Sequence, residues 1–176
     1  FQIAGSSLIA NAINSRSWYG KLLFEEDLIF VIRNFEKLGE LQNLLQSNFP
    51  EGKQIIIPEL TKGALLTTLA GASLIKDFSE PIIVDLVDIL FDSDFNPESI
   101  FNENKNIAGI IPYFFSDNHK YSYLDLDDNS KILRTKEKEV ISTHASAGVY
   151  FFKNLKFLLK AFTYSINSFS EVAYND

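Results

Sequence analysis

PIIVDLVD, residues 81–88, decides the fold class of this 176-residue sequence. Its first six residues, Pro81 to Leu86, form a short apolar and largely β-branched run, which predicts a buried strand. Two further runs of this kind are Leu28 to Ile32 (LIFVI) and Lys53 to Ile57 (KQIII), the second of them closed by Pro58. We expect these runs to be strands of one sheet.

Helical patterns separate the predicted strands. Apolar residues recur at the spacing of one helix face between residues 35 and 45. Four other segments also predict helices: one after an N-cap at Ser6 or Ser7, one over Thr61 to Ile75, one that begins at Asn96-Pro97, and one over Leu155 to Phe162. Alternating strands and helices are typical of α/β proteins. We therefore predict a three-layer αβα fold with a mostly parallel, Rossmann-like sheet.

Residues 118–150 depart from this alternation. Short strands at Tyr121 to Leu126 and Lys131 to Arg134 flank a turn at Asp127 to Ser130, which indicates a small antiparallel excursion. Further strands are predicted over Ala108 to Phe115 and Gly148 to Phe152. No internal repeat or low-complexity linker interrupts the pattern. We therefore expect residues 1–176 to form a single domain.

Composition narrows the classes of function. The formal net charge is −7 and 46% of residues are apolar, so we expect a folded protein without the basic surface that binds nucleic acid or anionic membranes. No cysteine is present for disulfides or zinc–thiolate sites. No apolar run has the length of a membrane span, and no signal peptide is visible. We expect a cytoplasmic protein without membrane insertion, and leave open whether it forms homo-oligomers.

Asp88 is a candidate metal ligand. Ligands of open α/β sheets bind beyond the carboxyl ends of the strands, and Asp88 follows such an end. A carboxylate there can hold Mg²⁺, which prefers oxygen ligands and bridges to substrate phosphates. The alternative is that Asp88 caps a turn or a helix.

Two other stretches are candidate binding segments. Thr61-Lys62-Gly63-Ala64 opens a predicted helix, whose free N–H groups can bind an anion or the edge of a nucleobase. An ordinary helix start explains the same pattern. Glu137, in Lys136-Glu137-Lys138, could accept hydrogen bonds from sugar hydroxyls, or the three residues could be a solvated charge run. The sequence contains neither a Walker A motif nor G-x-G-x-x-G or G-x-S-x-G.

Taken in order, these stretches resemble the sugar-1-phosphate nucleotidyltransferases, which have a GT-A-like fold. The resemblance is closest to the branch found in capsular and surface polysaccharide gene clusters. It covers nearly the whole chain and is carried by these segments: Phe1 to Ser15, Leu28 to Arg33, Thr61 to Ala70, Pro81 to Asp88, Tyr121-Ser122-Tyr123, Glu137-Lys138, Ala145 to Lys153 and Tyr174-Asn175-Asp176.

The resemblance implies a role for several of these residues. Asp88 would bind Mg²⁺, and Thr61, Gly63 and Ala64 would lie near the nucleotide base. Glu137, Lys138 and Gly148 would bind the second substrate. The implied partners are a nucleoside triphosphate and a sugar phosphate or related phosphate. The implied reaction transfers the nucleotidyl group to that phosphate and releases pyrophosphate, for surface polysaccharide precursors.

The sequence also departs from the family. The family begins with a strand, a glycine-rich loop carrying arginine and a P-K-P segment, and this chain begins after that point. Leu86-Val87 stand where the family has N-S before the metal-binding aspartate, and Ser130 replaces a turn glycine. We therefore expect a chain truncated at both ends. Its activity would depend on the missing loop, because the transfer relies on positioning and electrostatic stabilisation.

Three functions are therefore compatible with the sequence. The first is a Mg²⁺-dependent nucleotidyltransferase. The second is a non-catalytic relative that serves as a binding or scaffold domain, which the apolar pair Leu86-Val87 favours. The third is a metal-dependent glycosyltransferase that uses Asp85 and Asp88, although their D-x-x-D spacing differs from the usual D-x-D.

Overall fold

The computed structural model describes residues 2–3, 6–59, 61 and 63–173, and side chains within 7–59, 61 and 63–166. The segment Tyr174-Asn175-Asp176 and the residues Phe1 and Lys62 lie outside the described residues. The described part contains five α-helices: α1 (Leu8–Ser15), α2 (Leu38–Asn48), α3 (Ala64–Ala72), α4 (Pro97–Glu103) and α5 (Leu155–Ala173). The predicted mixed α/β composition is confirmed.

Two predicted helix starts are confirmed by their caps. The Ser7 side chain accepts a hydrogen bond from the N–H of Ala10, 3.4 Å away, at the start of α1. Asn96 caps α4 by accepting from the N–H groups of Glu98 and Ser99, with Pro97 at the first helical position. Proline suits that position because its missing N–H would have no partner inside the helix.

Eleven strands occur in the described residues. They are β1 (Gln2–Ile3), β2 (Ser6–Ser7), β3 (Ile29–Arg33), β4 (Lys53–Ile57), β5 (Ile82–Asp85), β6 (Gly109–Ile110), β7 (Tyr113–Phe115), β8 (Ser122–Leu126), β9 (Ile132–Glu137), β10 (His144–Ser146) and β11 (Val149–Phe152). They form the pairs β1-β2 and β3-β4, a three-stranded sheet in the order β5-β11-β6, and a four-stranded sheet in the order β7-β10-β8-β9.

The predicted mostly parallel sheet is wrong. Only β3 and β4 pair in parallel among the described strands, and the other pairs are antiparallel. The reason lies in β11, which follows the long excursion and inserts between β5 and β6 in the opposite direction. It separates strands that the sequence order led us to place side by side. A three-layer αβα arrangement around one parallel sheet is therefore not confirmed.

The predicted antiparallel excursion is confirmed. Strands β8 and β9 pair across a turn in which Asp127 Oδ1 accepts from the N–H groups of Asn129 and Lys131. Ser130 in this turn has φ of +60°, the left-handed region in which glycine is at ease. The structure thus explains why a glycine would suit this position.

The predicted strand over Ala108 to Phe115 is instead two strands in different sheets. β6 pairs with β11, and β7 pairs with β10. Pro112 lies between them and has no N–H to donate to a ladder, while its carbonyl accepts from Ala147. The chain therefore crosses from the three-stranded to the four-stranded sheet at this proline.

Three apolar clusters hold the elements together. The first joins α1 to α2 through Ala10, Ile13, Leu45 and Phe49, with Val87 packed against it. The second surrounds Trp18 with Phe101, Val149 and Phe151. The third packs α3 against α5 through Ala72, Leu155, Leu158 and Phe162. The segment that follows β5 thus contacts the first cluster at Val87.

Candidate functional site

Asp88 lies beside Gly148, which brings together two residues that the sequence singled out separately. The strand β5 ends at Asp85, and Leu86 N–H donates to the Gly148 carbonyl at 3.0 Å. A Cβ placed on Gly148 would be 3.2 Å from Asp88 Oδ1 and 3.8 Å from Leu86. Gly148 also has φ of +72°. A glycine is therefore required here both by backbone conformation and by the approach of the Asp88 carboxylate.

Asp88 is exposed, and within the described part of the chain its carboxylate accepts no hydrogen bond. No group of three or more His, Asp or Glu side chains that could hold a metal occurs among the described residues. This does not conflict with Mg²⁺, which is commonly held by one or two carboxylates together with waters and substrate phosphates. A single free carboxylate at Asp88 fits that kind of site.

Asp85 has another role than Asp88. Arg16 donates from Nε to Asp85 Oδ2 at 2.8 Å and from Nη2 to Oδ1 at 3.2 Å. Asp85 Oδ1 also accepts from Val87 N–H at 2.8 Å. Both oxygens are therefore engaged by the protein, which argues against Asp85 as the second metal ligand of a glycosyltransferase.

Glu137 is connected to Gly148 through one row of polar side chains. Gly148 N–H donates to Ser146 Oγ at 3.2 Å, and Ser122 Oγ donates to Glu137 Oε2. Ser122 pairs directly with Glu137, and the pairing of Ala145 with Tyr123 places Ser146 opposite Ser122. Cross-strand partners project from the same face of a sheet. Ser146, Ser122 and Glu137 therefore share one face, which begins at the glycine beside Asp88.

Glu137 and Lys138 form the outer end of this face. Both side chains are exposed, and Lys138 Nζ lies 4.0 Å from Glu137 Oε1. Lys138 has φ of +55°, and its N–H donates to the carbonyl of Tyr121. This left-handed residue ends β9, so that the Glu137–Lys138 pair is held at a fixed point rather than on a loose charged loop.

The aromatic residues at the other end of this row were not identified as candidate site residues from the sequence. Tyr113 pairs with Ser146, and its ring contacts those of Phe115 and His144 at centroid distances of 5.9 and 4.8 Å. The Nδ1 atom of His144 is buried, and no described residue forms a hydrogen bond with it. The run from Ala108 to Phe115 predicts a strand but does not say which ring is exposed, because that depends on the partner strand.

A cavity of about 620 Å³ adjoins this end of the row. Its lining is largely aromatic and aliphatic and includes Leu90, Phe91, Tyr113, Phe114 and Ala147. Ala147 precedes Gly148 and Ile89 follows Asp88, so chain neighbours of both residues line the cavity, although Gly148 and Asp88 themselves do not. Cavities of this size and character commonly hold part of a small ligand.

The segment that contains Thr61, Gly63 and Ala64 forms the start of α3. Thr61 Oγ1 lies 2.9 Å from the carbonyl of Gly63, to which it donates, and 2.7 Å from Thr67 Oγ1. Gly63 is the N-cap with φ of +109° and provides no capping side chain. Ala64 is the first helical residue and is exposed. The first N–H groups of α3 are therefore not capped by a side chain of the N-cap residue.

The start of α3 and Asp88 are not joined by any hydrogen bond or ion pair among the described residues. Ala72 at the end of α3 belongs to the third apolar cluster, and Leu65 in the first turn of α3 and Ile82 at the start of β5 pack against that cluster.

Comparisons with known proteins identify the fold. No protein-family model and no curated protein sequence matches the chain. Solved structures do match, and one is the nucleoside-diphosphate-sugar pyrophosphorylase from Vibrio cholerae RC9, at a TM-score of 0.72 and 20% identity. The match covers 94% of this chain and 68% of that one.

Two further solved structures lead to the same fold. A putative glucose-1-phosphate thymidylyltransferase from Bacillus anthracis matches at a TM-score of 0.60 and 18% identity, over 79% of this chain and 55% of that one. A UDP-glucose pyrophosphorylase complexed with UDP-glucose matches at a TM-score of 0.57 and 19% identity, over 86% of this chain and 66% of that one. The chain thus spans between about half and two thirds of these proteins and shares the fold of sugar-nucleotide pyrophosphorylases and nucleotidyltransferases, as the sequence resemblance predicted.

None of the described helices combines the length and apolar character needed to cross a membrane.

Proposed function

We propose that this chain carries the metal-binding and acceptor-binding parts of a nucleotidyltransferase. The donor is a nucleoside triphosphate, and the acceptor is a sugar phosphate or a related phosphate. The products are the nucleotide-linked acceptor and pyrophosphate. The sequence resemblance supports an enzyme that supplies surface polysaccharide precursors, which we place in the cytoplasm, and the shared fold is compatible with such a role.

The observation that carries this proposal is the connection of Asp88 to Glu137. Asp88 lies against Gly148, whose N–H donates to Ser146. The same sheet face continues through Ser122 to Glu137. An acceptor placed along this face would have its hydroxyls at Glu137 and its phosphate toward Asp88. The ring of Tyr113 offers the acceptor an apolar surface at the other end of the row.

The reaction needs the acceptor phosphate and the α-phosphate of the nucleoside triphosphate to lie next to each other. An oxygen of the acceptor phosphate attacks the α-phosphorus of the triphosphate and forms a new P–O bond. The bond between the α-phosphorus and its bridging oxygen to the β-phosphate breaks, and pyrophosphate leaves with that electron pair. Mg²⁺ held by Asp88 would supply positive charge against the crowded phosphate oxygens. The free carboxylate of Asp88 has no competing protein partner among the described residues.

The start of α3 supports binding of the nucleotide. Its uncapped N–H groups and the close backbone approach at Gly63 suit the polar edge of a base. Thr61 is already held by Thr67 and by the Gly63 carbonyl. We assign Thr61 to shaping the turn, and the backbone of Gly63 and Ala64 to contacting the base.

A second candidate function is a binding or scaffold domain without catalysis. Val87, next to Asp88, packs its side chain against the cluster of Ala10, Ile13 and Leu45, and Leu86 is 39% exposed. The two residues before the candidate metal ligand therefore offer no polar side chain to a phosphate. Binding of nucleotide or acceptor without turnover would fit this function.

Pyrophosphate release separates the two candidates. The assay combines the purified protein with Mg²⁺, each of the common nucleoside triphosphates and a set of sugar 1-phosphates. It is run on residues 1–176 and on any longer in-frame product of the same gene. Release that requires an acceptor and is lost in Glu137→Gln supports the transferase. Acceptor-independent background alone, in every form of the protein, contradicts it and favours the binding domain.

A further inference from the structure

Arg16 is a buried cation that connects α1 to the segment carrying Asp88. Its side chain is 2% exposed and forms the two bonds to Asp85 described above. Nη2 also donates to the carbonyl of Ile89 at 3.0 Å, and the guanidinium lies 4.1 Å from the centre of the Phe91 ring. Arg16 therefore binds the chain on both sides of Asp88: at Asp85 before it, and at Ile89 and Phe91 after it.

Asp85 connects Arg16 to the backbone of Val87. Its Oδ1 accepts from the Val87 N–H at 2.8 Å while it also accepts from Arg16. Val87 has φ of +51°, a conformation that β-branched residues strongly disfavour. Such a conformation persists only when the surroundings impose it. Here the surroundings are the Asp85 acceptor and the apolar cluster that receives the Val87 side chain.

The left-handed residue sets the direction of Asp88. An extended Val87 would carry Asp88 onward along the line of β5. A left-handed Val87 turns the chain, and Asp88 Oδ1 comes to lie against Gly148. Arg16 and Asp85 are 69 positions apart in the sequence, so this arrangement depends on the tertiary fold rather than on a local turn preference.

We propose that Arg16 is a positioning residue, which acts through Asp85 to hold residues 86–91 so that the free carboxylate of Asp88 is presented to a metal–triphosphate. The inference rests on the proposed function of Asp88 as a metal ligand. Arg16 is too deeply buried to contact the nucleotide itself. Its role is therefore indirect. Losing Arg16 should change the backbone around Val87 even in the ligand-free protein.

The test uses the double variant Arg16→Met/Asp85→Leu. Replacing both partners avoids leaving one buried charge without its counterion, which is more disruptive than losing the pair. The matched control is Arg134→Met/Asp125→Leu, which removes the exposed Arg134–Asp125 pair, 3.4 Å apart, by the same substitutions. Asp85→Asn is a milder second variant, because its amide oxygen can still accept from Val87, and it serves if the double variant does not fold.

The first readout is amide hydrogen exchange at Val87 in the ligand-free protein. We expect exchange about tenfold or more faster in Arg16→Met/Asp85→Leu, an intermediate rate in Asp85→Asn, and an unchanged rate in the control. The second readout is the dissociation constant of the nucleotide that stabilises the wild type. With Mg²⁺ it should rise about tenfold or more in the double variant, whereas without metal it should not change.

The outcomes separate this inference from the proposed function. Unchanged exchange at Val87, or unchanged Mg²⁺-dependent affinity in the double variant, overturns the positioning role while the proposed function stands. A wild type that binds no Mg²⁺–nucleotide overturns the proposed function, and the metal-directed role of Arg16 falls with it. Faster exchange together with a loss confined to metal-dependent affinity supports the inference.

Discussion

Gly148 and Asp88 approach so closely that a Cβ on Gly148 would lie 3.2 Å from Asp88 Oδ1. Gly148 also has φ of +72°, where an L-residue costs about 1–2 kcal/mol. We therefore expect Gly148→Ala to lower the free energy of unfolding by about that amount and to displace the Asp88 carboxylate. Urea denaturation measures the first effect, and Mg²⁺-dependent nucleotide affinity measures the second.

Gly39→Ala is the control for this substitution. Gly39 lies in α2, has an ordinary φ and has no atom within 4 Å of an added Cβ. Alanine should therefore stabilise the helix by about 0.5 kcal/mol and leave nucleotide binding unchanged. If Gly148→Ala were as harmless as Gly39→Ala, the close approach at Asp88 would be disproved.

Glu137→Gln should reduce acceptor binding without unfolding the protein. Glu137 is exposed, its Oε1 lies 4.0 Å from Lys138 Nζ, and the amide oxygen of glutamine can still accept from the Ser122 hydroxyl, so the change in the free energy of unfolding should be within about 0.5 kcal/mol. Hydrogen bonds from neutral donors to a charged acceptor are worth about 1.5–3 kcal/mol. We therefore expect the dissociation constant for a sugar 1-phosphate to rise by about tenfold or more, as measured by calorimetry.

Glu139→Gln provides the matched comparison for Glu137. It removes the same charge from an exposed carboxylate close by, which lies 3.5 Å from Lys136. Acceptor binding should be unaffected in this variant. Equal losses in both variants would show that net charge rather than contact at Glu137 matters.

Ser130→Gly should stabilise the β8–β9 hairpin. Ser130 has φ of +60°, and removing its Cβ relieves a conformational cost of about 1 kcal/mol. Ser130→Ala retains the Cβ and should bring no gain. Thermal unfolding compares the two variants with the wild type. A glycine variant no more stable than the alanine variant would contradict the assignment of strain to this turn.

The pKa of Asp77 should be lowered by its turn with Ser79. The Ser79 hydroxyl and then its N–H donate to Asp77 Oδ1, at 2.6 and 2.8 Å, and both bonds favour the charged carboxylate. A lowered folded-state pKa adds stability above the unfolded-state pKa, and this stability is lost as pH falls through the folded-state value.

Ser79→Ala should therefore raise the pKa of Asp77 toward its ordinary value, as measured by NMR titration. Stability at neutral pH should fall slightly, and wild type and variant should converge in acid. A pKa that does not move would assign the effect to something other than the hydroxyl bond.

Local signals predicted much of the secondary structure. The bounds of β4 and the start of α4 at Asn96-Pro97 match because both are decided by neighbouring residues: a β-branched run before Pro58, and a capping side chain with a proline behind it. The hairpin at Asp127 to Ser130 is local in the same sense.

Local signals could not predict which strands pair in parallel or antiparallel, nor the contacts that hold the segment around Asp88 in place. β11 takes its place between β5 and β6 through contacts with strands tens of residues away. The left-handed Val87 contradicts the preference of a β-branched residue, so sequence patterns predict the opposite. The Arg16–Asp85 pair is equally non-local. Asp88 and Gly148 were singled out separately, and only the fold places them together.

The most direct test is thermal unfolding with Mg²⁺ and each nucleoside triphosphate in turn, for wild type, Asp88→Asn and Asp92→Asn. Trp18, the single tryptophan, is 2% exposed and reports unfolding by fluorescence. Binding at a hundredfold excess over the dissociation constant stabilises the folded state by about 2.7 kcal/mol, or about 5 °C or more in Tm. We predict such a shift with at least one nucleotide, absent in Asp88→Asn and retained in Asp92→Asn. A shift that survives in Asp88→Asn, or no shift with any nucleotide, would contradict a metal–nucleotide site at Asp88.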